Sequence, residues 1–292
     1  MTTRHIFCTI LILGLLLGGC QSEKAGTEKT HLGGCILIAP VGEVPADLYQ
    51  ESDIIQTDEY KPFTKKLTVC GITLIGRDDI SDGFMKNVAK TIKAMFPRQG
   101  ENIDAELQAE VIRNMYKHRT VIPLFLGEDH DFAPDDRADW EHTRSQNSVC
   151  DIIMEDVPGQ VNEVVEHILH HVTDVGLHYT FPDEWGVSTT SKVHRVTQEA
   201  IDRGYYDVEQ YGDEVGEEYN RVLIQEYAYW IIYAVWNLRE YFGPKRAEYN
   251  IMNGAELKAK LPQSYDLVVQ TIPKVMAAPG REMLKEFFEK DK

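Results

Sequence analysis

Residues 222–238 constrain the fold of this chain more than any other stretch. Apart from tyrosine hydroxyls and indole nitrogens, the polar side chains in this stretch are Gln225, Glu226 and Asn237. A helix that is apolar almost all the way round is buried, so the stretch predicts a central helix, extending over 217–241, around which a core is built. A carboxylate inside such a helix must be paired, protonated or bound to metal, because an isolated buried charge is very costly. Glu226 is therefore a candidate functional residue.

The rest of the chain has strands first and helices later. Apolar runs and alternation predict strands at 35–39, 67–75, Thr120–Leu126 and 150–154. The capping residues Ser81 and Asp104 predict helices that begin after them, and 127–147 is predicted to be a long acidic loop. Apolar periodicity predicts further helices at 159–175, 191–203 and 281–290. This order predicts an α+β fold, with a small N-terminal sheet and its helices followed by a mostly helical C-terminal half.

The N-terminus has the three-part order of a secretory signal. Arg4 and His5 form a weak basic segment, and the apolar run 6–17 that follows is too short to span a bilayer. The run ends in Leu-Gly-Gly-Cys, which resembles the bacterial lipobox, so we expect cleavage before Cys20 and acylation of its sulfur. Acyl chains on Cys20 would hold the protein on a membrane lipid surface without crossing it.

These features predict how the chain is organised. Residues 1–19 are expected to be a signal peptide, 20–33 the lipidated cysteine with a flexible tether, and 34–292 a single globular domain. The expected location is the cell envelope, outside the cytoplasm. If the cell is Gram-negative, the outer membrane is expected, because Gln21 rather than Asp follows the anchor.

The net charge and the cysteine content exclude some partners and some kinds of site. The formal net charge of −17 argues against a nucleic-acid partner, since phosphate binding needs a basic surface. Beyond Cys20 the chain has only Cys35, Cys70 and Cys150, too few for a disulfide scaffold or a cysteine metal site. An exported protein can form one disulfide, and we expect Cys35 to pair with Cys70 because both lie in predicted strands.

The predicted helix 159–175 separates an apolar face from a polar one. Its polar face carries Glu163, Glu166, His167, His170, His171 and Asp174. Residues four apart lie one above the other on a helix, so Glu166 with His170, or His167 with His171, could hold one ion. The two histidines of HExxH bind zinc with this spacing. The strict motif is absent. Pairing His167 with His171 puts Ile168 at the general-base position, and pairing Glu166 with His170 puts His167 there.

Three segments resemble an uncharacterised family of zincin-like proteins, regarded as metallopeptidases without an established substrate. The resemblance extends over most of 67–275, and its segments are Val69-Cys70-Gly71-Ile72-Thr73-Leu74-Ile75 with Asp78-Asp79-Ile80-Ser81-Asp82, Glu166-His167-Ile168-Leu169-His170, and Glu226-Tyr227-Ala228-Tyr229-Trp230. The family has Glu-Glu-x-Leu-His at the second segment and Glu-Tyr-x-Tyr-Trp at the third. The resemblance implies a zincin-like fold in which zinc is bound by Glu166, His170 and Glu226. His167 then replaces the usual glutamate at the base position, and His171 and Tyr229 are expected beside the ligands, as supports or alternative ligands.

Two functions are compatible with these residues. The first is a zinc-dependent, peptidase-like hydrolase that acts on a peptide or protein outside the cytoplasm, with water as the fourth ligand. The second is a catalytically inactive surface lipoprotein of the same fold that binds a partner. A simpler interpretation is also open, in which the polar residues of 159–175 are the solvated face of an amphipathic helix. Glu226 would then pair with Arg195, Arg203 or Arg221, or accept hydrogen bonds from tyrosines.

Overall fold

The computed structural model describes residues 28–30, 34–128, 132–212, 216–244 and 248–289. The predicted signal peptide, Cys20 and most of the predicted tether lie outside these residues. Within them, a sheet in the N-terminal half is followed by helices, which confirms the α+β prediction.

The sheet has five strands in the order of the chain. They are β1 (Ile55–Gln56), β2 (Lys65–Val69), β3 (Ile72–Gly76), β4 (Thr120–Leu126) and β5 (Ile153–Glu155). The pairs β1–β2 and β2–β3 are antiparallel, whereas β3–β4 and β4–β5 are parallel. The carboxyl ends of β3, β4 and β5 therefore lie at one edge of the sheet.

The prediction of a single strand over 67–75 is wrong, because the chain turns back in the middle of it. Cys70 and Gly71 both have positive φ angles, 45° and 85°, and form a two-residue turn between β2 and β3. A Cβ on Gly71 would lie 2.6 Å from the Ile112 carbonyl oxygen, so the close approach of the neighbouring helix requires glycine. The segment 35–39 also differs from its prediction: it lies outside the sheet, and Leu37 forms only an isolated bridge with Lys29.

Helices connect the parallel strands. The helices α1 (Asp82–Met95) and α2 (Ala105–Lys117) lie between β3 and β4, and α3 (Pro134–Gln146) lies between β4 and β5. Ser81 and Asp104 cap α1 and α2 as predicted, by accepting hydrogen bonds from first-turn amides. The prediction of an acidic loop over 127–147 is wrong, since α3 occupies most of it. This helix has almost no apolar periodicity, and its Trp140 packs against Phe63 in a small cluster on the sheet.

The C-terminal half consists of helices. They are α4 (Gln160–His171), a π-helix (Val172–Leu177), α5 (His178–Thr180), α6 (Pro182–Trp185), α7 (Lys192–Asp202), a 3₁₀ turn (Glu209–Tyr211), α8 (Gly216–Val235), α9 (Arg239–Phe242), α10 (Gly254–Lys260), α11 (Pro262–Val275) and α12 (Arg281–Phe288). The predicted helix over 217–241 is interrupted at Asn237, whose φ is 55°, so α8 and α9 are separate. No helix in the described ranges is both long and apolar enough to cross a membrane.

Helix α8 is the buried centre of this half. Residues 227–234 are almost fully buried, and the helix packs against α4, α7, α10 and α11. Helix α4 also packs against β4 and β5, and its buried apolar residues are Val161, Val164, Val165, Ile168 and Leu169. Because α4 lies between the sheet and α8, part of its polar face is turned towards α8 rather than towards water.

A disulfide joins Cys35 to Cys150, with the two Cα atoms 5.0 Å apart. The predicted pairing of Cys35 with Cys70 is therefore wrong, and Cys70 is a free, buried thiol in the β2–β3 turn. The segment around Cys35 lies beside the segment that leads into β5, where the Val149 N–H donates to the Cys35 carbonyl at 3.2 Å.

Candidate metal centre between α4 and α8

Glu166, His170 and Glu226 come together where α4 faces α8. His170 Nε2 lies 3.6 Å from Glu226 Oε2. One donor atom from each of the three side chains lies within 4.8 Å of the other two. Helical spacing aligns the two residues of α4, and the packing of α8 against α4 brings in the third.

The three side chains offer one nitrogen and two carboxylate groups, which are donor types that can hold a metal ion. Zinc bonds to nitrogen and oxygen of about 2.0 to 2.2 Å place neighbouring ligands of a tetrahedral site about 3.4 Å apart. The 3.6 Å separation of His170 Nε2 from Glu226 Oε2 is close to this value. His170 is fully buried, and its Nε2 makes no hydrogen bond within the described residues. A buried polar atom without a hydrogen bond is costly, and either a proton directed at the Glu226 carboxylate or a metal ion at this position would reduce that cost.

The electrostatics of His170 also favour a cation at Nε2. Burial by itself would lower the pKa of His170, but the nearby Glu226 carboxylate and the hydrogen bond with Asp151 raise it well above its ordinary value. The pocket therefore favours positive charge on this imidazole, which either a proton or a metal ion at Nε2 can supply.

Asp151 orients His170, and nothing in the sequence pattern indicated this role. Its Oδ2 accepts from Nδ1 of His170 at 2.7 Å. Histidines that bind metal commonly donate their second ring N–H to a carboxylate, which fixes the tautomer and leaves the other nitrogen free for the ion. Burial would raise the pKa of Asp151, but the charge of His167 and the hydrogen bond from His170 outweigh burial and lower it.

A buried polar network holds Asp151 in turn. The Gln225 side-chain amide donates to Asp151 Oδ2 at 3.3 Å, and Arg221 donates to the Gln225 side-chain oxygen. Arg221 also donates to Asp174 in the π-helix at 3.4 Å. This network connects the π-helix, through α8, to the orienting carboxylate of His170.

Both ring nitrogens of His171 form hydrogen bonds with backbone groups. Its Nδ1–H donates to the His167 carbonyl at 2.8 Å, and its Nε2 accepts from the Cys150 and Asp151 amides at 3.2 and 3.4 Å. Burial lowers the pKa of His171 to about 4, so the ring is neutral. His171 therefore positions the segment that carries Asp151. A zinc ion shared by His167 and His171 would require these bonds to break.

His167, the predicted general base, lies between two other carboxylates. Its Nδ1 is 3.1 Å from Glu163 Oε1 and its Nε2 is 3.8 Å from Asp151 Oδ2. Burial would lower the pKa of His167, but Asp151 and Glu163 raise it to about 9. These two carboxylates therefore favour the charged form of the imidazole. A general base must be unprotonated to accept a proton, so His167 is poorly suited to that role.

Glu166 is held by a short chain of hydrogen bonds. The Asn162 amide donates to Glu166 Oε2 at 2.6 Å, and the Tyr229 hydroxyl donates to the Asn162 side-chain oxygen. Tyr229 thus reaches the candidate ligands through Asn162. Burial and the neighbouring Glu226 raise the pKa of Glu166 above its ordinary value. A divalent cation would relieve the repulsion between these two carboxylates.

The arginines considered as partners of Glu226 bind other groups. Arg195 donates to the Thr190 carbonyl, Arg203 pairs with Glu199 at 2.9 Å, and Arg221 pairs with Glu218 and Asp174. The ion pair of Glu226 within the described residues is with His170. The carboxylate of Glu226 therefore faces the candidate ligand His170. Its side chain is 15% exposed, which leaves a route for solvent.

Comparisons with known proteins found no relative of this chain. No protein-family model, no curated protein and no solved structure matches the chain. The interpretation of the site therefore depends on its donor atoms, their burial and their distances.

Proposed function

We propose that the protein is a membrane-anchored, extracytoplasmic zinc metallohydrolase with a zincin-like, peptidase-like site, in which Glu166, His170 and Glu226 hold the ion. The observation that carries the proposal is the fully buried His170 Nε2, which has no hydrogen-bond partner among the described residues and faces Glu226 Oε2 at 3.6 Å. The expected anchor at Cys20 places the substrate, a peptide or protein, outside the cytoplasm.

Each residue around the ion would have a separate task. Zinc, when bound, polarises a carbonyl and lowers the pKa of a water molecule. Glu166 and Glu226 supply negative charge, and His170 supplies a neutral nitrogen. Asp151 keeps the His170 Nδ1 proton in place. Asn162 and Tyr229 restrict the orientation of the Glu166 carboxylate.

Proton transfer is the step at which this site differs from an ordinary HExxH hydrolase. In its charged form, which Asp151 and Glu163 favour, His167 can donate a proton to a leaving group but cannot accept one from water. We therefore expect hydrolysis to be slow. The same observation favours the second candidate function, a catalytically inactive surface lipoprotein that binds a partner.

Elemental analysis of the purified domain, residues 34–292, tests the proposal. We expect one zinc per chain in the parent protein and loss of zinc in His170→Ala and in Glu226→Gln. His142→Ala removes an exposed histidine of α3 and serves as the control that keeps its zinc. A parent protein without zinc, even after incubation with the ion, would refute the proposal.

Activity assays separate the two candidate functions. If the domain contains zinc and cleaves a peptide library, and cleavage disappears with His170→Ala, the hydrolase is supported. If zinc is present but peptides and esters stay intact over days, the non-catalytic function is supported instead. His167→Glu, which restores the residue usual at the base position, should then increase or create hydrolysis.

A further inference from the structure

A cavity of about 760 Å³ lies at the edge of the sheet where β3, β4 and β5 end. It is lined by residues from 79–84, 155–160 and 287–289 and by Leu126. These residues belong to the segment after β3 and the start of α1, the end of β4, the end of β5 with the segment after it, and the end of α12. In open sheets with parallel strands, ligands commonly bind outside the carboxyl ends of the strands.

The cavity is separate from the candidate metal centre. Gln160, which lines the cavity, begins α4, and His170 lies ten residues further along the same helix. At 1.5 Å of rise per residue this distance is about 15 Å. A ligand in the cavity would therefore not touch the proposed zinc ion.

Apolar side chains form much of the wall. Phe84 and Phe288 pack edge to face with their ring centroids 6.0 Å apart, and Phe287 lies next to them. Leu126 ends β4 in the same cavity and is 45% exposed. Large apolar side chains left accessible at a concave site are typical of places where a small ligand binds.

The charged side chains of the lining are all acidic. They are Asp79, Glu155, Asp156 and Glu289, and no Lys, Arg or His is among the lining residues that the structure describes. Glu155 is held in place because its two oxygens accept from the Ser81 backbone N–H and hydroxyl, at 2.9 and 2.5 Å. Lys90, outside the lining, already places its ammonium 5.4 Å from the Phe287 ring centroid. The cavity therefore combines apolar surface with negative charge, and its rings can accept a cation.

The mouth of the cavity is open beside the start of α4. Gly159 has a φ of 74°, and a Cβ built on it would meet no atom within 4 Å. Asp156, three residues earlier, is exposed and also has a positive φ, 64°. An acidic side chain at the opening suits a ligand that enters with its apolar part first and leaves its charge near the entrance.

We infer that this cavity binds a small primary amine with an aromatic or alkyl body, the ammonium lying among the carboxylates and the apolar body against the phenylalanines. The inference does not depend on the proposed zinc site. A neutral ligand of the same shape would lose the charge interaction, and an anion would be repelled.

Calorimetric titration of the full chain with 2-phenylethylamine tests this inference, with 2-phenylethanol and 3-phenylpropionate as matched neutral and anionic probes. At low salt we expect the amine to bind about tenfold more tightly than the alcohol and the carboxylate not to bind. Asp156→Asn and Glu289→Gln should each weaken amine binding by up to about fivefold. Glu286→Gln, an exposed acid of α12 outside the cavity, should leave it unchanged.

A variant that fills the cavity provides a second test. Leu126→Trp should abolish amine binding while thermal unfolding stays cooperative, because the side chain it replaces is already half exposed. His170→Ala should leave amine binding intact. Equal binding of amine and alcohol, or binding unaffected by Leu126→Trp, would overturn the inference. Amine binding that appears only after residues 290–292 are removed would also overturn it, because the full chain would then not bind the amine. The residues removed include Lys290 and Lys292.

Discussion

Removal of the disulfide should cost this protein a large part of its stability. Cys35 and Cys150 are separated by 115 residues. In the chain-entropy model, a cross-link that closes a loop of this length restricts the unfolded chain enough to stabilise the fold by about 5 kcal/mol. Domains are typically stable by only about 5 to 15 kcal/mol. We therefore expect Cys35→Ala/Cys150→Ala to be marginally folded.

Local contacts should nevertheless keep the fold recognisable. The Val149 N–H donates to the Cys35 carbonyl, and His171 accepts from the Cys150 and Asp151 amides. These bonds involve the backbone and do not require the sulfur atoms. The double variant should therefore unfold cooperatively but at a much lower urea concentration.

Urea unfolding of the parent, the double variant and Cys70→Ala measures the effect. Cys70 is a buried free thiol, so its replacement controls for loss of a small buried side chain and should cost about 1 to 2 kcal/mol. Peptide mapping without reductant should find Cys35 linked to Cys150. A Cys35–Cys70 link, or a double variant that loses less stability than Cys70→Ala, would refute the reasoning.

Three further predictions concern the metal centre, the acid stability and the anchor. Asp151→Asn should weaken zinc binding by about 10- to 100-fold in a competition titration with a chelator, because the charge that orients His170 is lost. Burial lowers the pKa of His178 to about 4, whereas an unfolded histidine titrates at about 6.5. Between these values only the unfolded chain gains a proton, so the free energy of unfolding should fall as the pH drops through this window. His178→Asn, which keeps an acceptor for the Val187 N–H, should make this pH dependence shallower in urea unfolding. Cys20→Ser should move the protein from the membrane fraction to the soluble fraction and abolish labelling by a fatty-acid analogue, and unchanged fractionation would contradict the anchor.

Local patterns predicted the main helices well. The spacing of apolar residues and the caps Ser81 and Asp104 are properties of short stretches, so α1, α2 and α7 lie close to their predicted positions. Helix α3 and the β2–β3 turn were not predicted. Helix α3 has little apolar periodicity. The β2–β3 turn depends on the positive φ angles of Cys70 and Gly71, and the strand-forming residues on both sides of Gly71 conceal it.

By itself, the sequence determined that Glu166 and His170 lie on one face of a helix and that Glu226 lies in a buried one, because helical spacing and apolar content are local. The tertiary structure alone decided that these side chains meet, since the crossing of α4 and α8 sets the 3.6 Å between His170 and Glu226. It also decided that Asp151 orients His170, that Cys150 pairs with Cys35, and that His167 lies between two carboxylates. These contacts join residues that are distant along the chain, or depend on a neighbour from another element, and no short stretch of sequence specifies them.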